Sequence, residues 1–216
     1  MAGVVIVGAG PLIGRSVARR FGREGLPVAV IARTPSTVEA IVADARDDGY
    51  EIGGWIADAT DEQALRRTLD AVVDAQGLPD ALIYNAAIIR PDRPGELSAR
   101  ELLDTLAVNV AGAVVGATHL GTRMAEAGRG TIVITGGMPE LVPAYFSLSL
   151  GKAGVRAVSE MLAKQLGPSG VHVVTVTVGG AVARGGAYDP DEIADCYWEL
   201  HRQSPDRWKP EVAFDH

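Results

Sequence analysis

The chain has 216 residues, 47% of them hydrophobic, a formal charge of −7 and no polar tract long enough to be a linker, which bounds it to one domain with a sizeable core. An acidic balance with Lys and Arg scattered rather than bunched excludes a basic nucleic-acid or anionic-membrane surface. Cys196 alone makes no internal disulfide or zinc cluster, and His119, His172, His201 and His216 are dispersed. No metal site is expected, no apolar run reaches the ~18 residues of a membrane span, and a reducing cytoplasm is the expected home.

Apolar runs dense in Val and Ile alternate with longer segments of helical periodicity, the pattern of a parallel sheet covered by helices on both faces. The expected fold is therefore α/β, a Rossmann-type doubly wound parallel sheet of about seven strands. Strands are expected near 3–8, 27–32, 51–57, 80–84, 130–135, 171–178 and 211–214, with helices between them. Ser36 with Glu39, Thr60 with Gln63, and Ser98 with Glu101 fit reciprocal caps, while Asp189-Pro190 places a proline at a first helical position. The run from Ser98 to about Ala127 is expected as one long helix with Asn109 near its middle, ending before Gly128.

The first strand runs into Gly8-Ala9-Gly10-Pro11-Leu12-Ile13-Gly14 and then an amphipathic segment, Arg15 to Glu24. Glycines in that context permit a tight turn, let backbone approach a pyrophosphate and pack the helix closely, and the helix N-terminus attracts the anion. Gly8, Gly10, Leu12, Ile13 and Gly14 are accordingly the candidate phosphate-side turn. The second strand ends in Ile31-Ala32-Arg33-Thr34 with no acid, so Arg33 favours a phosphorylated dinucleotide over one with free ribose hydroxyls. Asp58, after the third strand, either accepts a bond from an adenine amino group or stabilises the following helix start.

With these residues in place, the chain resembles the short-chain dehydrogenase/reductase family over nearly its whole length. The further matches are Tyr84-Asn85-Ala86-Ala87 after the fourth strand, Asn109, Lys152, and Gly179-Gly180-Ala181-Val182 after the sixth. The resemblance implies an NADP(H) cofactor, with Asn85, Lys152, Gly180 and Val182 on its path, and a homodimer or homotetramer built through the long helices. It also implies hydride transfer in which a Tyr phenol donates the proton, a Ser orients the substrate, Lys152 holds the ribose and Asn109 supports a water relay. Leu148 stands four residues before Lys152, where the Tyr belongs, and Gly137, or Gly136 with a shifted gap, stands where the Ser belongs. Leu12 occupies the position of the family's middle glycine.

Tyr145, Ser149 or a water is a candidate to replace the missing acid, and Thr135 to supply a hydroxyl near the missing serine. Tyr145 lies seven residues before Lys152, roughly the same helical face but about 10.5 Å along the axis against about 6 Å for a spacing of four. Ser149, at spacing three, faces Lys152's side, and Thr135 ends the fifth strand. Only the six residues Ala183 to Tyr188 precede the cap at Asp189, so the cleft is expected to be open or completed by a neighbouring subunit. The leading expectation is an NADP(H)-dependent oxidoreductase acting on a small carbonyl or alcohol. A non-redox cyclase, isomerase or lyase, or a cofactor-binding protein without turnover, remains open alongside it.

Overall fold

The computed structural model describes residues 3–215. Seven strands form one parallel sheet: β1 (Val4–Val7), β2 (Val28–Ala32), β3 (Ile52–Ile56), β4 (Ala81–Tyr84), β5 (Gly130–Thr135), β6 (Val171–Val178) and β7 (Glu211–Phe214), in the order β3-β2-β1-β4-β5-β6-β7. The central strands are buried along their whole length, which is why they read as unbroken Val and Ile runs rather than as alternating ones.

Helices α1 (Ile13–Arg23), α2 (Pro35–Asp47) and α7 (Pro190–His201) cover one face, seating Phe21, Ile41 and Tyr197 in a common core. On the other, α3 (Glu62–Gln76), α5 (Gly112–Glu126) and α6 (Phe146–Leu166) bury Leu65, Leu120 and Leu162. The short α4 (Ala99–Leu106) leads into α5. The strand order reverses between β1 and β4, so a crevice opens beyond their carboxyl ends.

Three local expectations need correction. Proline takes the first position of α2, which makes Thr34 the cap and leaves Ser36 inside the first turn, with no side-chain cap bond. Asp61, not Thr60, caps α3 by accepting from the Ala64 amide; Thr60 bonds Asp58 instead. The long helix is not uniform, because residues Ala107–Ala111 form a π-helical turn between α4 and α5. At its start, Ser98 and Glu101 make the reciprocal cap, and Asp189 caps α7 ahead of Pro190.

The run Ala99–Glu126 also departs from the expectation about apolar length: its best window has a mean hydropathy of 1.3 and the helix is long enough to cross a membrane, with 33% of that window buried. Its buried side lies on β4 and β5 through Leu120 and Met124. Composition alone does not separate such a helix from a span, and its contacts with the sheet account for only part of its apolar face.

Candidate active site

The glycine turn is built by close packing. Gly8 has φ +83, and a Cβ there would overlap the backbone of Ala86. A Cβ at Gly14 would stand 2.7 Å from the Ala9 Cα, whereas one at Gly10 would meet nothing within 4 Å. Gly8 and Gly14 thus hold the turn against β4 and α1, and Gly10 faces open space. Asn85 fixes the arrangement from the other side of the crevice: its side-chain amide donates to the Gly8 carbonyl at 2.9 Å and its backbone amide to Val7 at 2.8 Å.

Leu12 is the cap residue of α1, offers no side-chain cap, and is 37% exposed. No acidic residue stands in the helix's first turn, so the helix N-terminus keeps its partial positive charge for an anion. Ile13 beside it is buried and anchors the turn in the core. Arg33 is exposed at the end of β2. Its charge reaches Asp58, whose carboxyl is held below its ordinary range chiefly by the Thr60 amide, with burial opposing and the Thr60 hydroxyl and Arg33 assisting. An open Gly10, a helix end without a side-chain cap and the Arg33–Asp58 pair beyond β2 and β3 fit the pyrophosphate and the adenosine of a dinucleotide.

Beyond β4 and β5 the side chains are held more tightly. The Asn109 amide accepts from the Ile88 amide at 2.7 Å and donates to the Ile88 carbonyl at 3.2 Å, so it bridges backbone groups from within the π turn. Tyr84, buried at the end of β4, donates to the Val108 carbonyl of that turn at 2.6 Å. Wide π turns leave carbonyls without their usual helical partner, and this phenol supplies one. Gly112 is required for its approach, because a Cβ there would overlap the Tyr84 hydroxyl.

Lys152, on α6, is only 8% exposed, and its Nζ donates to the Thr135 carbonyl at 2.7 Å. Burial, with no opposing charge, lowers its pKa to about 8. One turn further along α6, Arg156 donates to the carbonyls of Gly137 and Met138 at 2.9 and 3.1 Å. Met138 has φ +49, a conformation that costs a non-glycine residue about 1–3 kcal/mol unless its surroundings hold it; Arg156 does so.

Leu148 is buried on α6. The Ser149 hydroxyl, expected on the substrate side, closes the turn before α6 instead, accepting from the Val142 amide at 3.1 Å and donating to its carbonyl at 3.3 Å. The Thr135 hydroxyl pairs with the Tyr197 hydroxyl at 2.8 Å in the core. Tyr145 is half-buried at the cap position of α6, outside the helix that carries Lys152. Gly179 and Gly180 are overlaid by the Tyr188 ring, which a Cβ at Gly180 would overlap, and Val182 packs against the α1–α7 core.

Sequence reasoning missed Asp92, Arg156 and the role of the Tyr84 phenol. Asp92 is 4% exposed; its carboxylate accepts from the Ser147 amide at 3.0 Å, and its backbone pairs with Ala144 and Phe146. It supplies the anion for the α6 N-terminus from a loop some fifty residues away, a partnership that no local pattern announces. A cavity of about 840 Å³ lies at the opposite ends of β2 and β3, beside Tyr50, Arg46 and Gln76. None of the residues above reaches it, so the chemistry points to the carboxyl ends of the strands.

Comparison with known proteins agrees with this geometry. A family model described as short chain dehydrogenase matches residues 2–187. The chain is 30% identical over 175 residues to D-threitol dehydrogenase of Mycolicibacterium smegmatis, covering 80% of this chain and 67% of that protein. It is 31% identical over 180 residues to the Mycobacterium tuberculosis protein named "Probable oxidoreductase EphD", covering 82% of this chain but 30% of that longer one. A crystal structure of a metagenomic short-chain oxidoreductase in complex with NADP superposes with a TM-score of 0.89 at 25% identity, over 98% of this chain and 96% of the other. On the seven-stranded parallel sheet, the ordered glycine turn and this match across most of its length, the chain belongs to the short-chain dehydrogenase/reductase family of oxidoreductases.

Proposed function

We propose that the chain is an NADP(H)-dependent oxidoreductase for a small carbonyl or alcohol, working without the phenol and serine that its family uses. The observation that carries this reading is the buried Lys152 amine at the end of β5, at the same carboxyl-end side of the sheet as a glycine turn whose helix has no side-chain cap. When bound, the nicotinamide supplies or accepts the hydride. Gly8, Gly10, Ile13 and Gly14 hold the pyrophosphate in this reading, Arg33 faces the ribose phosphate, and Asp58 faces the adenine. Asn85 braces the turn rather than touching the cofactor. Gly180 and Val182 carry the backbone past the nicotinamide.

Leu12 bears on affinity more than on access, because its exposed side chain can turn outward while its amide remains available. Fluorescence titration tests the reading. NADPH is expected to bind at least tenfold more tightly than NADH, a difference of about 1.4 kcal/mol, and Arg33→Ala to erase most of that preference. Absence of NADPH binding at millimolar concentration removes the proposal. The commitment of the Ser149 and Thr135 hydroxyls to other partners favours a second reading, a non-redox enzyme or a cofactor-binding protein; NADPH binding without hydride transfer to any of a panel of small ketones would select it.

The expected partners are a small-molecule substrate and a second copy of the chain, in the cytoplasm. Leu103 on α4 and Leu150 and Met161 on α6 are 63%, 42% and 61% exposed, which supports association through those helices. Sedimentation as a monomer at high micromolar concentration would rule that association out.

A further inference from the structure

The oxidoreductase reading leaves one chemical gap: a carbonyl that accepts hydride must also accept a proton, and the usual donor position is Leu148. Three hydroxyls near the ends of β4 and β5 are engaged elsewhere, and the Ser147 hydroxyl, buried at the start of α6 without a partner, lacks the acidity of a phenol. Tyr84 donates to Val108, Thr135 pairs with Tyr197 inside the core, and Ser149 is bonded twice to Val142. Asn109 spends both amide atoms on Ile88 and has no acidic proton to give.

What reaches the end of β5 is an amine. Lys152 donates one of the three hydrogens of its ammonium to the Thr135 carbonyl, which leaves two uncommitted to that bond. The backbone that crosses in front of it is glycine: a Cβ built at Gly137 would stand 3.8 Å from the Lys152 Cε. No side chain at 137 therefore stands between the lysine and a ligand arriving over the β5 end. Arg156 keeps that strip of backbone in place through the Gly137 and Met138 carbonyls.

Resting on the oxidoreductase reading above, we infer that the Lys152 ammonium is itself the proton donor to the substrate's carbonyl oxygen, with no phenol between them. In the reductive direction a C–H bond forms at the carbonyl carbon as it takes the hydride of the reduced nicotinamide. The C=O π pair moves to oxygen, which takes a proton from Nζ. That N–H bond breaks, the amine is left neutral, and it regains a proton from water. A lysine of ordinary pKa would hold its proton too strongly for this work near neutrality, but burial lowers Lys152 to about 8, close to the range where an acid both carries its proton and releases it. Burial is the cause of that shift, and no carboxylate opposes it. The charged group nearest along α6 is Arg156, a cation bound to backbone carbonyls; the groups facing Lys152 and its turn from β5 and the π turn, the Thr135 carbonyl and Asn109, are neutral.

The test separates a donor from a ribose anchor. Selectively labelled lysine followed by NMR in the NADP⁺-saturated protein is expected to show Lys152 titrating near 8. Single-turnover reduction of cyclohexanone by NADPH is expected to slow above that same pH. Lys152→Met is expected to lower the rate about 10²-fold or more, the usual span of general acid catalysis. The decisive variant carries Lys152→Cys, on a Cys196→Ala background, aminoethylated to a thioether amine of lower pKa. It should recover activity with the alkaline limb moved down. A limb that stays put in the aminoethylated protein, a Lys152 titrating above 10, or a limb that moves on Tyr145→Phe instead would overturn the inference while leaving the oxidoreductase reading intact. Failure of NADPH to bind the unaltered chain would overturn both.

Discussion

Replacing Gly8 with alanine is expected to unfold the glycine turn and abolish NADPH binding together. The native φ of +83 is one that an L-residue adopts at a cost, and the added methyl would overlap the backbone of Ala86, two residues beyond the end of β4, which cannot yield as a flexible side chain would. Left-handed strain of about 1–2 kcal/mol and overpacking of about 1–3 kcal/mol combine to a loss of roughly 2–5 kcal/mol, a large fraction of a typical domain's stability. Denaturant midpoints measure it. Gly10→Ala is the informative companion, because a Cβ there meets nothing within 4 Å. That variant is expected to keep the parent midpoint within about 0.5 kcal/mol yet bind NADPH at least tenfold more weakly, since the methyl enters the space left for the pyrophosphate. A Gly8→Ala protein with the parent's midpoint would show that the turn does not pack as described.

The contrast between those two glycines also marks what was legible in the sequence. Gly8, Gly10 and Gly14 could be placed between a first strand and a first helix, but which one is locked and which is open depends on Ala86 approaching Gly8 from beyond β4 and on how the turn folds Ala9 back against Gly14. The strands were readable because burial on both faces demands Val and Ile throughout, as in β6 from Val171 to Val178. The caps were readable where the reciprocal pair has no competitor, at Ser98 and Glu101. They were misread where Pro35 pre-empts the first helical position or where Asp61 stands next to Thr60.

Site residues divide the same way. Lys152 and Asn109 could be located by spacing, but the partners that give them their properties come from elsewhere in the chain. Lys152 owes its lowered pKa to burial under β5, and Asn109 owes its orientation to Ile88. The π turn that carries Asn109 is invisible in the apolar periodicity around it, since one extra residue in a turn changes the register without changing composition. Its stabilising bond comes from Tyr84 on another strand. Asp92 and Arg156 were missed for a related reason: each serves a backbone segment that only the tertiary fold brings near.

Leu148→Tyr is the second change expected to have a large effect, and here the effect is a gain. Residues four apart on α6 lie one turn apart on one face, about 6 Å along the axis, so a phenol at 148 would stand beside the Lys152 amine. A neighbouring ammonium favours the phenolate and lowers the phenol's pKa from its ordinary value near 10. Fitting the larger ring into a position that is 5% exposed costs about 1–3 kcal/mol of stability, which a thermal melt will register. Single-turnover reduction of cyclohexanone by NADPH is nevertheless expected to rise about 10- to 100-fold, the lower part of what a positioned acid contributes, because Lys152 already donates in the parent. Leu148→Phe brings the same bulk without the hydroxyl and should show the stability cost alone. The two positions can then be coupled. In the parent, Lys152→Met removes the donor; in the Leu148→Tyr background it removes only the cation that tunes a phenol, so the rate loss should be smaller and the alkaline limb should move up toward 10. Losses that simply add would mean that residues 148 and 152 do not serve the same proton, and a Leu148→Tyr protein that binds NADPH but reduces ketone no faster than its parent would place the reacting carbonyl away from this face of α6.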